Sequence, residues 1–214
     1  MSRKVALIAI PLFAVSGWLL YEAFASKPAQ AGEEPFYETS FWKRMFGEEP
    51  TFPFDPNKVI GKGCIRYTPV SQTIIQRVLR YKNLAKRYGN AFGVPPGLIL
   101  AIIAVESAGN PRAYRYEGHL RDASRGLMQM LCSTARRMGL RQSCDALYNP
   151  EISVRYGAKF LRYLHDKLGD WLWAIAAYNA GERVSRYNKY CFRNQHYVNK
   201  VVSVMAQLKP YLER

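Results

Sequence analysis

One apolar run sets the architecture of this chain: Pro95-Pro96-Gly97-Leu98-Ile99-Leu100-Ala101-Ile102-Ile103-Ala104-Val105-Glu106-Ser107. Proline suits the first turn of a helix, and Gly109-Asn110-Pro111 predicts its end. The run therefore predicts a helix that delivers Glu106 at its last turn. A carboxylate at the mouth of an apolar helix is poorly solvated, which raises its pKa. A carboxylic acid that keeps its proton near neutrality can protonate a leaving oxygen, the step that breaks a glycosidic bond.

The pattern stays helical on both sides of this run, from Pro69 onward. Apolar residues from Val70 to Tyr88 mark one face of a first helix, which we expect to end near Gly89-Asn90. Alternating strand patterns are scarce, so the predicted fold is mainly α. Four further helices are predicted: Ser133 to Gly139, Asn149-Pro150-Glu151 to Gly169, Trp171 to Ala180, and Asn194 to Pro210. Capping residues mark two of them, Asn149 at the start of the second, and Asp170 and Gly181 at the ends of the third.

The 214 residues suffice for one domain with a core, plus appendages. The net charge of +15 is placed unevenly. Residues 1–60 hold six basic and seven acidic side chains, whereas residues 61–214 hold 25 and nine. The basic field of the C-terminal part favours a polyanion or an anionic surface, such as nucleic acid, phospholipid headgroups or acidic cell-wall polymer.

The N-terminus predicts export. Arg3-Lys4 precede an apolar run from Val5 to Tyr21, and Ala23-Phe24-Ala25 provides a small-x-small pattern before Ser26. Residues 1–26 therefore form a signal peptide or an uncleaved membrane anchor, with the rest of the chain on the periplasmic face or secreted. A buried core helix explains neither the flanking charges nor the small-x-small pattern. Residues 27–60, with five prolines and an aromatic stripe, form a linker that lies on a membrane or docks on the domain of residues 61–214.

Four cysteines fit an oxidising compartment and allow three pairings. Cys132 and Cys144 flank one short predicted helix and its return loop, so we expect them to pair, which leaves Cys64 with Cys191. Four free buried thiols are the alternative. The chain has no Cys-x-x-Cys, and its three histidines are not at zinc spacing with any cysteine. We therefore expect no metal and no cofactor.

Three motifs follow one another along the predicted helices. They are Glu106-Ser107 with Asn110-Pro111 after it, Gly126-Leu127-Met128-Gln129, and Ala176-Ala177-Tyr178-Asn179-Ala180-Gly181. Together with Asn149-Pro150-Glu151, Tyr156-Gly157-Ala158 and Tyr197-Val198, this order resembles the catalytic domain of the soluble-type lytic transglycosylases (SLT family). The resemblance runs from about Pro69 to Leu208. It implies the goose-type lysozyme fold, as a single catalytic domain.

The resemblance also implies roles for individual residues. Glu106 would be the single catalytic acid and base. The other implied roles are a glycan groove lined by Met128 and Gln129, a Tyr178 hydroxyl that positions the Glu106 carboxyl, Asn179 near the sugar, Tyr197 on the far wall, and Ser107 and Ser124 shaping the site. One position departs from the family: Arg193 stands where members often carry a glutamate, which puts substrate choice or groove charge in doubt.

A single motif carboxylate implies a mechanism without a second acid. Glu117, Asp122, Asp145 and Glu151 lie outside the motifs expected to line the groove, whereas hydrolases of β-1,4 glycans normally use two carboxylates. The resemblance implies that the C6 hydroxyl of the muramoyl sugar attacks its own C1, leaving a 1,6-anhydromuramoyl end. The partner is then the glycan strand of peptidoglycan, and the N-terminal segment contacts the membrane if it is uncleaved.

Three alternatives stand beside this interpretation. One is a goose-lysozyme-like hydrolase that uses water and a loop acid. Another is a non-catalytic scaffold that grips peptidoglycan for a secretion apparatus or a virion. Binding of nucleic acid conflicts with the export signal and lacks any recognisable module.

Overall fold

The structure is a computed structural model, and it describes residues 50–213. Helices dominate this part of the chain, with a small antiparallel sheet and a short hairpin between them. The helices are α1 Pro56–Val59, α2 Gln72–Leu79, α3 Lys82–Phe92, α4 Pro96–Ser107, α5 Cys132–Arg137, α6 Pro150–Leu168, α7 Trp171–Ala180 and α8 Gln195–Leu212. The strands are β1 Tyr114–Glu117, β2 Asp122–Arg125, β3 Met130–Leu131, β4 Arg186–Asn188 and β5 Cys191–Phe192, and a 3-10 turn covers Cys144–Tyr148.

Helix α4 is the centre of the core, as its sequence predicts. Every residue from Pro96 to Ala104 is buried. The helix packs against α8, α3, α2 and α6, which enclose it because none of its side chains before Glu106 can hydrogen-bond to water. Burying each of its leucines and isoleucines contributes about 1.5–3 kcal/mol relative to exposure. The same packing fixes where its polar end, Glu106, meets the surface.

The first predicted helix is wrong in its extent. Two helices, α2 and α3, stand in its place, because Tyr81 leaves helical geometry (φ −96°, ψ 10°). Helix α3 also continues past the predicted stop to Phe92, where Gly93 takes the left-handed conformation. Gly89 lies inside the helix, and this position requires glycine because a Cβ there would approach Val94 O to 2.6 Å. That glycine serves a close contact rather than a helix end.

The other predicted helices are confirmed, and two of them, α6 and α7, begin at side-chain caps. Asn149 Oδ1 accepts from the backbone of Glu151 at 2.8 Å at the start of α6. Asp170 Oδ1 accepts from Trp173 N at 2.9 Å at the start of α7. Helix α8 runs slightly beyond the predicted stop, since Pro210 lies within its last turn.

The small sheet was not predicted. Strands β1, β2 and β3 are antiparallel neighbours in that order, with Tyr114 opposite Arg125 and Glu117 opposite Asp122. Strand β3 continues from the Gly126-Leu127-Met128-Gln129 turn and pairs back onto β2. Strands of two to four residues are too short for an alternating pattern to stand out. The sheet nevertheless places the β1–β2 hairpin close to the end of α4.

Part of the predicted linker packs on the domain. Phe52 is buried against Gly97, whose N–H donates to Thr51 O at 2.8 Å. Lys209 Nζ on α8 pairs with Asp55 Oδ1 at 3.0 Å. The predicted signal or anchor and the aromatic stripe lie outside the described residues. Within residues 50–213, no helix combines the length and apolar character needed to cross a membrane.

Both predicted disulfide pairs are present. Cys64 bonds to Cys191, and Cys132 bonds to Cys144. The first bond closes a sequence separation of 127 residues and fixes β5 just before α8, while the second closes a separation of 12 around α5. In the chain-entropy account, such bonds stabilise the fold by about 3–5 kcal/mol each, more for the longer loop.

Candidate active site

Glu106 lies in the last turn of α4, where the apolar helix emerges from the core. The residue as a whole is half-buried, and the Tyr197 hydroxyl donates to Glu106 Oε1 at 2.7 Å. Burial raises the pKa of this carboxyl from its ordinary 4.5 to about 7, against the hydrogen bond from Tyr197, which lowers it. The group therefore exchanges its proton near neutral pH, as an acid that later acts as a base must. This matches the expectation drawn from the apolar helix.

Tyr197 is the residue that positions the carboxyl. It lies in the first turn of α8, the helix that packs most closely along α4. Burial raises the pKa of the Tyr197 phenol well above 10, and the negative charge of Glu106 adds to this rise. The hydroxyl therefore keeps its proton and donates a hydrogen bond to the carboxyl.

The predicted role of Tyr178 is wrong. Its hydroxyl donates to Met128 O at 2.8 Å, not to Glu106, and lies 3.3 Å from Met130 Sδ. Tyr178 still lies close enough for the charge of Glu106 to raise the pKa of its phenol. The function assigned to Tyr178 thus belongs to Tyr197, which was expected only on the far wall.

Met128 does not line a groove with its side chain. It is fully buried, and its thioether packs directly over Gly157 of α6, where a Cβ would overlap Met128 Sδ. Only its backbone serves the site, since Met128 O accepts from Tyr178. The prediction that this side chain contacts glycan is therefore wrong, and it fills the core instead.

Gln129 is occupied by contacts within the protein. Its backbone is left-handed (φ 45°), and its Nε2 donates to Ala113 O and to Gly126 O, each at 3.0 Å. Ser124 Oγ lies 3.1 Å from Gln129 Oε1. These bonds hold the turn after β2 against the segment that precedes β1. The Gln129 amide is thus engaged within the protein, and the expected role of Ser124 in shaping the site stays a prediction.

Ser107 fastens the end of α4 to the same turn. Its Oγ lies 2.8 Å from Leu127 O and 3.1 Å from Ile103 O. Because Ser107 follows Glu106 directly, this bond holds the end of α4, and with it Glu106, against the turn that contains Leu127. Its effect on the site comes through this placement.

Asn179 is the exposed polar residue of the third motif, at the end of α7. Its Oδ1 accepts from Asn194 Nδ2 at 3.0 Å. Arg193, at the position that departs from the family, is exposed, and its backbone N–H donates to Ser185 O at 3.1 Å. Asn179 is therefore exposed and held in place by Asn194, a residue that the motifs do not include.

Two charged residues of the site were missed. Arg115 and Glu117 on β1 form a double contact, at 2.9 Å and 3.3 Å. The Arg115 charge lowers the pKa of Glu106 and the Glu117 charge raises it, each less than burial does. Glu117 thus lies nearer the Glu106 carboxyl than its place outside the motifs implied. The alternation of Tyr114-Arg115-Tyr116-Glu117 before Gly118 is the strand and turn signal that could have found it.

Replacing Tyr197 by Phe should shift the pH dependence of catalysis. The change removes the bond that stabilises the Glu106 carboxylate, so the pKa of Glu106 rises above about 7. Activity that needs protonated Glu106 should then persist to higher pH, with a lower maximum because the carboxyl is less well held. Initial rates measured from pH 4 to pH 9 test this. A falling limb that stays in place, or moves to lower pH, would contradict the assignment of Tyr197.

Comparison with known proteins agrees with this geometry. The sequence model of the family described as "Transglycosylase SLT domain" matches residues 83–198, more than half of the chain. The "Endo-type membrane-bound lytic murein transglycosylase A" of Klebsiella pneumoniae is 38% identical over 99 residues, covering 43% of this chain and 46% of that protein. The protein of the same name from Salmonella paratyphi B is 37% identical over the same shares. The chain thus spans about half the length of the curated relatives it matches.

A solved structure shares the fold. The lytic transglycosylase Slt of Pseudomonas aeruginosa, solved as an inactive mutant, superposes with a TM-score of 0.53 at 24% identity. The match covers 63% of this chain and 25% of that one. The matched family region contains Glu106, both later motifs and Tyr197. On this match, the chain belongs to the transglycosylase SLT domain family, with the lysozyme-like fold that its sequence implied.

Proposed function

We propose that this protein is a peptidoglycan lytic transglycosylase. It cleaves the β-1,4 bond between N-acetylmuramoyl and N-acetylglucosamine units and leaves a 1,6-anhydromuramoyl end. The observation that carries the proposal is the Glu106 carboxyl, with a pKa of about 7 and a hydrogen bond from Tyr197. A non-catalytic scaffold would have no use for a partly buried, hydrogen-bonded acid of this kind.

The reaction divides into two proton transfers by one residue. Protonated Glu106 gives its proton to the glycosidic oxygen as the bond to C1 breaks, and the glucosamine unit leaves as an alcohol. The C6 hydroxyl of the muramoyl sugar then bonds to C1 and returns its proton to the Glu106 carboxylate. The internal hydroxyl has a high effective concentration, which favours it over water. The enzyme ends the cycle in its starting protonation state.

Three features of the chain bear on where the protein is located and how it is attached. The predicted signal or anchor, the two disulfides and the basic domain suit the periplasmic face of a membrane. The relatives are named as membrane-bound. We expect the domain to face away from the cytoplasm, held by residues 1–26 if these are retained. If the protein acts within a secretion apparatus or a virion, components of that assembly would be further partners.

The hydrolase alternative rests on Glu117, the second carboxylate near Glu106. Both of its oxygens contact Arg115, which offsets its charge and occupies about half of its acceptor positions. The Glu117 side chain is 17% exposed, whereas that of Arg115 is 72% exposed. This pairing favours ring closure over attack by water.

The product decides between the two reactions. We expect mass spectra of fragments released from purified sacculi to show anhydromuramoyl ends, lighter by one water than reducing ends. Glu117→Gln should keep these products, with a rate within about threefold of the wild type. Its falling pH limb should move to lower pH, because the Glu117 charge raises the pKa of Glu106.

Glu213→Gln is the matched control, since Glu213 is an exposed acid near the end of α8. It should change neither product nor pH profile. Mainly reducing ends from the wild type, lost together with activity in Glu117→Gln, would instead establish a two-carboxylate hydrolase.

A further inference from the structure

Asn194 connects α7 and α8, the helices that carry Asn179 and Tyr197. It lies directly before α8, and its backbone oxygen accepts from Tyr197 N at 3.0 Å. Its side chain reaches back to the end of α7, where Nδ2 donates to Ala176 O at 2.9 Å and to Asn179 Oδ1 at 3.0 Å. No motif contains Asn194, and the mechanism above does not use it.

The hydrogen bonds fix how both amides are turned. A backbone carbonyl only accepts, so the Asn194 atom beside Ala176 O must be the nitrogen. Its second hydrogen then points at Asn179, which must present its own oxygen. The same arrangement leaves Asn194 Oδ1 buried without a hydrogen-bond partner among the described residues. The reverse orientation would place Asn194 Oδ1 against two other oxygens, Ala176 O and Asn179 Oδ1. That arrangement is less favourable than one buried oxygen without a hydrogen-bond partner.

The consequence lies at Asn179. Its oxygen is engaged, and no bond within residues 50–213 engages its Nδ2. Asn179 is exposed and adjoins Tyr178, whose phenol feels the charge of Glu106. The amide therefore offers two N–H donors and only one remaining acceptor lone pair to whatever occupies the site.

We propose that Asn194 is a positioning residue that turns the Asn179 amide so that its N–H groups donate to an acceptor oxygen of the bound glycan. Hydroxyl and N-acetyl carbonyl oxygens are such acceptors. The proposal rests on the proposed function, because the glycan is the ligand. It assigns to Asn194 an effect on substrate that passes through Asn179 and not through Glu106.

A double-mutant cycle tests this assignment. The variants are Asn194→Ala, Asn179→Ala and the two combined, with kcat/KM measured as the rate of fragment release from purified sacculi at low substrate. Each single change should lower kcat/KM about tenfold, the effect of one lost hydrogen bond to substrate. The combined variant should be no slower than Asn179→Ala alone, because Asn194 has nothing left to orient.

Two further readouts separate positioning from a structural effect. The falling pH limb of Asn194→Ala should stay in place, because its backbone bond to Tyr197, and with it the Glu106 contact, is kept. Asn90→Ala, an exposed asparagine of α3, is the matched control and should keep the wild-type rate.

Each outcome decides something. Losses that multiply in the combined variant, a shifted pH limb, or an Asn179→Ala variant with the wild-type rate would overturn the assignment of Asn194. A wild-type protein that releases no fragments would overturn the proposed function itself. An active wild type with multiplying losses leaves that function intact and removes only the role of Asn194.

Discussion

Glu106→Gln should lower the release of wall fragments by about 10³-fold, within the usual contribution of a general acid and base. The amide keeps the shape of the carboxyl and can still accept the bond from Tyr197, but it can neither give nor take the proton. Turbidity loss of sacculi and mass spectra of the supernatant measure the effect. Circular dichroism should match that of the wild type.

The same substitution should change stability with a defined sign. The folded-state pKa of Glu106 is about 7, against 4.5 for the ordinary group. The folded state therefore holds its proton more tightly, and the resulting stability is present below about pH 4.5 and lost as pH rises through 7. Glu106→Gln should match the wild type at pH 4.5 and exceed it at pH 8 by about 1–3 kcal/mol, because each unit of pKa difference corresponds to about 1.4 kcal/mol.

Thermal or urea unfolding at both pH values measures this difference. Glu213→Gln is again the control, because an exposed acid should show no such dependence. An active Glu106→Gln protein with unchanged circular dichroism would remove Glu106 from the mechanism. Equal stability at pH 8 would show instead that water reaches the carboxyl freely.

The buried helix and the acid at its end could be predicted because both are local. An apolar run between two prolines and a glycine admits one structure, and burial alone raises the pKa of its last acid. The caps Asn149, Asp170 and Gly169 act within one helical turn of the residues they stabilise, so they too could be predicted. The disulfide of Cys132 and Cys144 follows from a short loop in the same way.

The choice between the two tyrosines could not be predicted, because it is not local. Tyr178 and Tyr197 both approach the end of α4, and only the packing of α7 and α8 decides which hydroxyl reaches Glu106. Met128 was misplaced for the same reason, since the glycine that receives its thioether belongs to α6. The family motifs identify these residues, but they do not specify which side-chain atoms are in contact.

Gly126→Ala should be the most destabilising small change in the motifs. Gly126 is left-handed (φ 77°), and a Cβ there would overlap the carbonyl oxygen of Leu147 and lie 2.9 Å from Ser153 Oγ. Backbone cannot swing away as a flexible side chain can. The conformational cost of about 1–2 kcal/mol is joined by a steric cost, so we expect a total loss of about 4 kcal/mol or more. Urea unfolding measures it, or the protein fails to fold.

Gly169→Ala separates the two contributions. Gly169 ends α6 with nearly the same backbone (φ 69°), but nothing lies within 4 Å of its Cβ position. It should therefore show the conformational cost alone, about 1–2 kcal/mol. If both variants lose the same free energy, the Leu147 contact has relaxed and the motif needs glycine only for its φ. If Gly126→Ala loses far more, the glycine is required because the turn that carries Gln129 lies directly against the chain before α6.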